Sequence, residues 1–227
     1  MKLLALDTST EACSAALLID DEIRSRYRVE ARAHSRLILD FCAQLLAEAE
    51  LELSRLDALA FGRGPGAFTG LRIAAAVTQG LALAGELGVA PVSSLAAIAQ
   101  GMYQAHATPR VLSAIDARMG EVYWGQFRAD AQGFMRAEID ERVCAPDQVP
   151  LPGPGEFAAA GTGWQSHGEA LHQRLGIRPT PLEPQRYVHA EHIARLGAHE
   201  LAQGRLLPAE QALPVYLRNQ VAQKSRT

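Results

Sequence analysis

The feature that most constrains the fold of this 227-residue chain is a segment, residues 71–87, that is apolar on almost every side of a helix. Its strongly polar residues are Arg72, Gln79 and Glu86, which are spaced by seven and therefore form one narrow stripe. A helix that is apolar nearly all round is normally buried on both sides. We therefore predict that this helix packs on its own lobe and also on a second protein surface.

The preceding helical segment, residues 34–50, shows the same excess of apolar surface. Its apolar positions cover roughly 200° of the circumference, whereas a stripe of roughly 100° is enough to meet the chain's own core. A plainer alternative is that the two helices pack only on each other and on the sheet. The interface hypothesis predicts that arginine at Ala75 or Ala82 would abolish assembly and leave the fold largely intact. The residues expected at the interface are Leu37, Phe41, Leu45, Arg72, Ala75, Gln79, Ala82 and Glu86.

The order of the predicted elements indicates a two-lobe α/β fold. Three strands joined by short turns open the chain as an antiparallel meander, and helices then alternate with short strands up to a third helix from about Ser94. This order is that of one actin-like (ASKHA, ribonuclease H-like) lobe. A hairpin within residues 111–127 begins a similar but curtailed second half. We predict mixed sheets flanked by helices in two lobes, residues 1–105 and 106–227, with a tail that could cross back.

Two segments resemble parts of a phosphate-binding site without completing one. The turn after the first strand, residues 7–10, lacks the glycine that lets backbone N–H groups approach a phosphate. The loop of residues 62–70 has glycines but lacks the lysine of a P-loop. These groups could instead satisfy their own backbone, with Thr69 as the N-cap of the next helix and Gly88 as its end. The weak candidates for a phosphate contact are Thr8, Ser9, Gly64 and Gly66.

No set of catalytic or metal-binding residues emerges from the motifs. His199 and Glu200 begin like the zinc motif H-E-x-x-H, but Gln203 occupies the position of the second histidine. His189 and His192 could share a helix face with His199, although solvated or capping histidines are the commoner outcome. We therefore predict no catalytic residue, no metal ligand and no cofactor of the chain's own.

Composition and charge limit the choice of partners and compartment. The net charge of −3 is unfavourable for a protein that grips nucleic acid by itself. Three separated cysteines without a C-x-x-C pair, and the lack of a signal peptide or membrane span, favour the cytoplasm. An open alternative is direct contact with nucleic acid through an arginine cluster, which on an edge strand more often forms a solvated rim. The cluster comprises Arg24, Arg26, Arg28, Arg32 and Arg36.

Four motifs together resemble the TsaB (YeaZ) family. They are Leu-Leu-Ala-Leu-Asp-Thr-Ser-Thr-Glu-Ala-Cys-Ser at residues 3–14, Gly-Pro-Gly-Ala-Phe-Thr-Gly-Leu-Arg-Ile at 64–73, Asp-Ala-Arg-Met-Gly-Glu-Val-Tyr at 116–123 and Pro-Val-Tyr-Leu-Arg-Asn at 214–219. The resemblance implies an actin-like fold and a role in N6-threonylcarbamoylation of adenosine 37 in transfer RNAs that read ANN codons. It further implies a non-catalytic subunit that pairs with its paralogue TsaD and the ATPase TsaE, forms homodimers when alone, and meets tRNA only through the complex.

The same resemblance places ATP and a metal ion on the partner subunits. TsaD binds its metal partly through an H-x-x-x-H pair, and Ser94 and Ile98 stand at the matching positions of this chain. Serine is a weak metal ligand and isoleucine is none. The alternative function is a free-standing enzyme of the same fold, either ATP-dependent or an M22-like metallopeptidase. We expect binding of Mg-ATP by the isolated chain to distinguish that enzyme from a partner subunit.

Overall fold

The computed structural model describes residues 1–30 and 32–218. Its first half contains five strands and three helices. These are β1 (Lys2–Asp7), β2 (Ala12–Ile19), β3 (Glu22–Val29), α1 (His34–Glu48), β4 (Ala58–Gly64), α2 (Phe68–Gly85), β5 (Val89–Ser93) and α3 (Ser94–His106). The second half contains β6 (Arg110–Arg118), β7 (Glu121–Ala129), β8 (Met135–Ala137), β9 (Arg142–Cys144), β10 (Ala158–Ala160), α4 (Thr162–Leu175), β11 (Leu182–Glu183) and α5 (Ala190–Ala202).

Each half builds one sheet, and the two sheets define the first and second lobes. The first sheet has the order β3-β2-β1-β4-β5, with the antiparallel β1–β2–β3 meander that was predicted and parallel pairing of β1, β4 and β5. The second has the order β11-β10-β6-β7-β8, with β9 beside β7. The chain therefore has the mixed, helix-flanked sheets of the actin-like fold, with a curtailed second lobe.

Helices α3 and α5 lie between the two sheets, whereas α1 and α2 cover the outer face of the first sheet. One apolar core joins both lobes through the middle helices, for example by Leu3, Ile98, Phe127 and Ile193. Although α5 comes late in the chain, it packs on β1, β2 and β4, and its first backbone N–H, that of Ala190, donates to Ser14 Oγ at 2.9 Å. The second half thus returns to the first lobe.

The ends of α2 differ from the sequence prediction. The helix begins at Phe68 with Ala67 as its N-cap, so the predicted N-cap role of Thr69 is wrong. The N–H of Ala67 donates to the carbonyl of Ser9 at 2.7 Å, and this bond fixes where the helix begins. At the other end Glu86 takes a left-handed conformation with φ of 53°, which ends the helix before Gly88.

Candidate functional site

The turn after β1 is buried rather than open to a ligand. Asp7, Thr8 and Ser9 have no exposed surface. Asp7 Oδ1 accepts hydrogen bonds from the backbone N–H and the hydroxyl of Ser9, both at 2.9 Å. The Thr8 hydroxyl donates to the carbonyl of Gly70 at 2.7 Å. The hydroxyls of this turn therefore serve the chain's own packing.

Asp7 retains an unpaired oxygen in this buried turn. Its Oδ2 has no hydrogen-bond partner among the described residues. Burial raises the pKa of Asp7 to about 7, against the two bonds from Ser9, which lower it. Near neutral pH this carboxyl therefore holds a proton much more readily than an exposed aspartate does.

The glycine-rich loop packs directly on the same turn. A Cβ at Gly70 would lie 1.9 Å from the carbonyl oxygen of Thr8, and a Cβ at Gly66 would lie 2.3 Å from that of Ser9. The glycines are therefore needed for contact between two backbone segments. Of the four phosphate candidates, Thr8, Ser9 and Gly64 are buried and Gly66 is half-buried. Gly64 packs against Leu71 and Val215 rather than against the turn. A phosphate contact stays a prediction.

A cleft of about 730 Å³ lies between the lobes beside this turn. Its walls are mostly apolar, and its charged side chains are largely paired with one another. Arg118 lies 3.3 Å from both Glu11 and Asp116. The cleft is lined by Ser9, Thr10, Glu11, Gly66, Ala67, Phe68, Leu71, Arg72, Ile115, Asp116, Ala117, Arg118, Met119, Tyr123, Thr162, Val215, Tyr216 and Arg218.

Ser94 and Ile98, the positions that the family resemblance aligned with a pair of histidines, have structural roles here. The Ser94 hydroxyl donates to Ser9 Oγ at 3.0 Å and joins the start of α3 to the buried turn. Ile98 is a core residue, 1% exposed. Within residues 1–30 and 32–218, no group of three His, Cys, Asp or Glu side chains is placed to hold a metal ion. Neither position offers a useful metal ligand.

The three histidines of the C-terminal half do not all lie together, although the rings of His189 and His192 are 5.9 Å apart, centre to centre. His189 stacks on Tyr27, and burial lowers its pKa. His192 is buried beside Gly101, and burial together with the neighbouring positive charges lowers its pKa to about 3. His199 lies apart, against Phe134 and the guanidinium of Arg136.

The arginine cluster on β3 and α1 is mostly neutralised by glutamates. Arg26 contacts Glu48, and both Arg28 and Arg36 contact Glu30. Arg24 pairs with Glu22 at 2.9 Å. Paired arginines offer little free positive charge to a phosphate backbone.

The predicted interface residues fall on two sides of their helices. Five of them are buried in the core of the first lobe, with exposures of 0–8%: Leu37, Phe41, Leu45, Ala75 and Ala82. Because these side chains pack against the sheet, arginine at Ala75 or Ala82 is expected to disrupt the fold itself, contrary to the sequence prediction. The other three reach the surface: Arg72, Gln79 and Glu86. The existence of an interface stays a prediction.

The exposed side of α2 is apolar, and we call it the outer α2 face. It consists of Phe68, Arg72, Ala76, Gly80, Leu83 and Ala84. Phe68 is 50% exposed and Leu83 66% exposed. A Cβ built on Gly80 has no neighbouring atom within 4 Å, so this part of the face is open. Small residues at 76, 80 and 84, spaced by four, form one row along which another helix could approach closely.

Sequence reasoning missed Phe68, Ala76 and Leu83 because it could not tell which side of an almost uniformly apolar helix faces the sheet. A usable signal was the spacing of Leu71, Ala75 and Ala82 with Thr78, which the structure places on the buried side. The three missed residues lie on the opposite side of that series. Exposure rather than hydrophobicity identifies the outer face.

Comparisons with known proteins agree with one another. A family model described as "TsaD: tRNA N6-adenosine threonylcarbamoyltransferase" matches residues 27–170. The "tRNA threonylcarbamoyladenosine biosynthesis protein TsaB" of Escherichia coli (strain K12) is 40% identical over 99% of this chain and 97% of its own length. Its namesake from Haemophilus influenzae is 40% identical over 99% of this chain and 96% of its own.

A solved structure supports the same relationship. A Pseudomonas aeruginosa protein described as similar to peptidase YEAZ superposes with a TM-score of 0.90 at 48% identity, over 96% of this chain and 99% of its own. A second structure, YeaZ from the same organism, has a TM-score of 0.89 at 48% identity, over 95% and 99% of the two chains. In the part of the chain that the structure describes, no helix is long and apolar enough to cross a membrane.

Proposed function

The chain belongs to the TsaB family of tRNA threonylcarbamoyladenosine biosynthesis proteins. From this membership we propose that it is a non-catalytic cytoplasmic subunit. In this proposal it pairs with a TsaD-type threonylcarbamoyltransferase through the outer α2 face. The single observation that carries the proposal is that face. A TsaE-type ATPase completes the assembly, which acts on adenosine 37 of tRNAs that read ANN codons. In the isolated chain the same face pairs with a second copy.

The outer α2 face has the properties that a stable interface needs. Leu83 presents a large apolar side chain to solvent, and burying such a side chain contributes about 1.5–3 kcal/mol. The open row at Ala76 and Gly80 allows a partner helix to come close. Arg72 lies over the Phe68 ring at 3.8 Å and supplies a charged rim.

A non-catalytic role is supported by the use of the buried turn and of Ser94 and Ile98 for packing. ATP and the metal ion are held, in this proposal, by the partner subunits. Isothermal titration of the purified chain with Mg-ATP tests that part directly. Binding accompanied by turnover of ATP would favour an enzyme of the same fold instead.

Pairing is tested with Ala76→Arg and Leu83→Arg in the outer α2 face. Each variant should lose co-purification with a candidate TsaD and should lower the N6-threonylcarbamoyladenosine content of tRNA in a reconstituted system. Thermal unfolding should stay within about 2 °C of the unmodified chain, because exposed positions seldom affect stability. Leu151→Arg is the matched control, since Leu151 is 58% exposed in the second half of the chain. Retained pairing by both variants would refute this surface.

A further inference from the structure

The last described segment, residues 205–218, returns to the first lobe after α5. Leu207 exchanges two backbone hydrogen bonds with Val89 at the edge of the first sheet, each 2.8 Å. Ala209 and Ala212 then enter the core under α2. The segment is therefore fixed on the first lobe before it reaches the cleft.

Beyond Ala212 the segment runs along the cleft. Gln79 Nε2 donates to the carbonyl of Ala212 at 3.3 Å, and the N–H of Val215 donates to the carbonyl of Arg63 at 2.8 Å. The Tyr216 ring lies 5.4 Å from that of Phe68, and its hydroxyl accepts from Arg72 Nε at 3.2 Å. The backbone and an aromatic side chain are thus held on the first-lobe side.

The end of the segment is held by the second lobe. The Arg218 guanidinium contacts the carboxylate of Glu121, at the start of β7. It also approaches the carbonyl of Arg118 at 3.5 Å and Met119 Sδ at 3.7 Å, both at the β6–β7 turn. Only two residues separate Val215 from Arg218, so a span of about 10 Å of chain connects the two lobes.

From these contacts we propose that residues 213–218 form an inter-lobe strap, which ties the lobes together across the cleft and covers part of its opening. Val215, Tyr216 and Arg218 of the strap line the same cavity as Ile115 and Tyr123 of the second lobe. A segment anchored at both ends resists any motion that separates its anchors. Movement of the lobes away from each other therefore requires release of the strap.

The strap has a consequence that differs from partner pairing. The cleft walls include Leu71 and Ile115, which are 1% and 5% exposed. Release of the strap allows the lobes to move apart and hydrates these walls. Amides around the cleft should then exchange their hydrogens faster, and a dye that fluoresces in apolar surroundings should bind.

A pair of truncated chains tests the proposal. One ends at Arg218 and keeps the strap, and the other ends at Ala212 and lacks it. In hydrogen exchange followed by mass spectrometry, loss of the strap should speed exchange in residues 115–123 roughly tenfold. Binding of 1-anilinonaphthalene-8-sulfonate should rise in the same chain alone. Equal exchange and equal dye binding in the two chains would overturn the proposal.

A charge exchange keeps the test decisive if the shorter chain fails to fold. Arg218→Glu should speed exchange in residues 115–123, and adding Glu121→Arg should restore at least part of the protection, because the ion pair is re-formed with reversed polarity. Leu213→Ser is the control, since Leu213 is 60% exposed and does not line the cleft. An unchanged exchange rate in Arg218→Glu, or no recovery in the double variant, would show that the strap does not hold the lobes. Co-purification of the same variants with TsaD is measured in parallel. Variants that lose protection of the cleft but still pair with TsaD would show that the strap and the proposed interface act independently.

Discussion

Replacement of Asp7 by asparagine should stabilise the protein at high pH and have little effect at low pH. Asp7 is fully buried, one of its oxygens has no partner, and burial raises its pKa from 3.8 to about 7. The folded state therefore holds a proton on this carboxyl more tightly than the unfolded state does. Stability from this group is fully present below pH 3.8 and is lost as the pH rises towards 7.

The size of the effect follows from the two pKa values. Each tenfold difference in proton affinity corresponds to about 1.4 kcal/mol, so the difference between 3.8 and about 7 corresponds to about 4 kcal/mol. Asparagine has the same shape, and its oxygen can accept the two bonds that Ser9 donates. Its amide nitrogen is left unpaired, as is the hydroxyl of the protonated acid. Asp7→Asn should therefore match the unmodified chain near pH 4 and exceed its unfolding free energy by about 2–4 kcal/mol at pH 8.

Urea unfolding followed by circular dichroism measures this difference at pH 4, 5, 6, 7 and 8. The readout is the variant's unfolding free energy minus that of the unmodified chain at each pH, because other groups also titrate in this range. Asp21→Asn is the control, since it removes an exposed carboxylate. A difference that stays constant within about 1 kcal/mol from pH 4 to pH 8 would refute the assignment of a buried, protonated Asp7.

Three further substitutions test the packing of the lobes. Gly70→Ala should destabilise the chain by at least about 3 kcal/mol in urea unfolding, because its Cβ would lie 1.9 Å from the carbonyl oxygen of Thr8. Gly80→Ala lies in the same helix, but a Cβ there would meet open space, so its free energy of unfolding should rise by about 0.5–1 kcal/mol. Equal changes in stability for Gly70→Ala and Gly80→Ala would contradict the close packing of the loop on the turn. His192→Phe should change the free energy of unfolding in a pH-dependent way. The change at pH 4.5 should be more stabilising than the change at pH 8 by about 3 kcal/mol. Burial lowers the pKa of His192 from 6.5 to about 3. The stability that the neutral imidazole gives above pH 6.5 is therefore lost as the pH falls towards 3. An effect of the substitution that did not depend on pH would argue against a buried neutral imidazole.

Much of the fold could be predicted because its patterns are local. The meander of β1, β2 and β3 follows from apolar runs separated by short turns, and the helical period of residues 34–50 and 71–87 gives α1 and α2. The four motifs together indicate the family, and the comparisons confirm that identification. Asn219, the last residue of the fourth motif, lies outside the described residues, and the lobe boundary near residue 105 stays a prediction.

The features that sequence could not supply depend on contacts between distant segments. The start of α2 is set by a backbone bond between Ala67 and Ser9, which overrides the capping preference of Thr69. The buried side of α2 depends on how the helix lies on β4, and hydropathy alone does not distinguish Ala75 from Ala76. The pKa of Asp7 depends on burial by residues far along the chain. Of these features only the buried side of α2 has a local signal, the spacing of Leu71, Ala75, Thr78 and Ala82.

The arrangement also explains how one chain can keep the actin-like fold while the turn after β1 serves its own packing. Glycines that would admit a phosphate in an open loop instead allow two backbone segments to touch at Thr8 and Gly70. That contact buries Asp7 and leaves its charge costly at neutral pH, which a site that held a cation against this carboxylate would avoid. Meanwhile Leu83 on the outer α2 face is 66% exposed, and the proposed partner would bury it. Variants at Asp7 should therefore act on stability, and variants at Leu83 on assembly, so the two sets of measurements should separate cleanly.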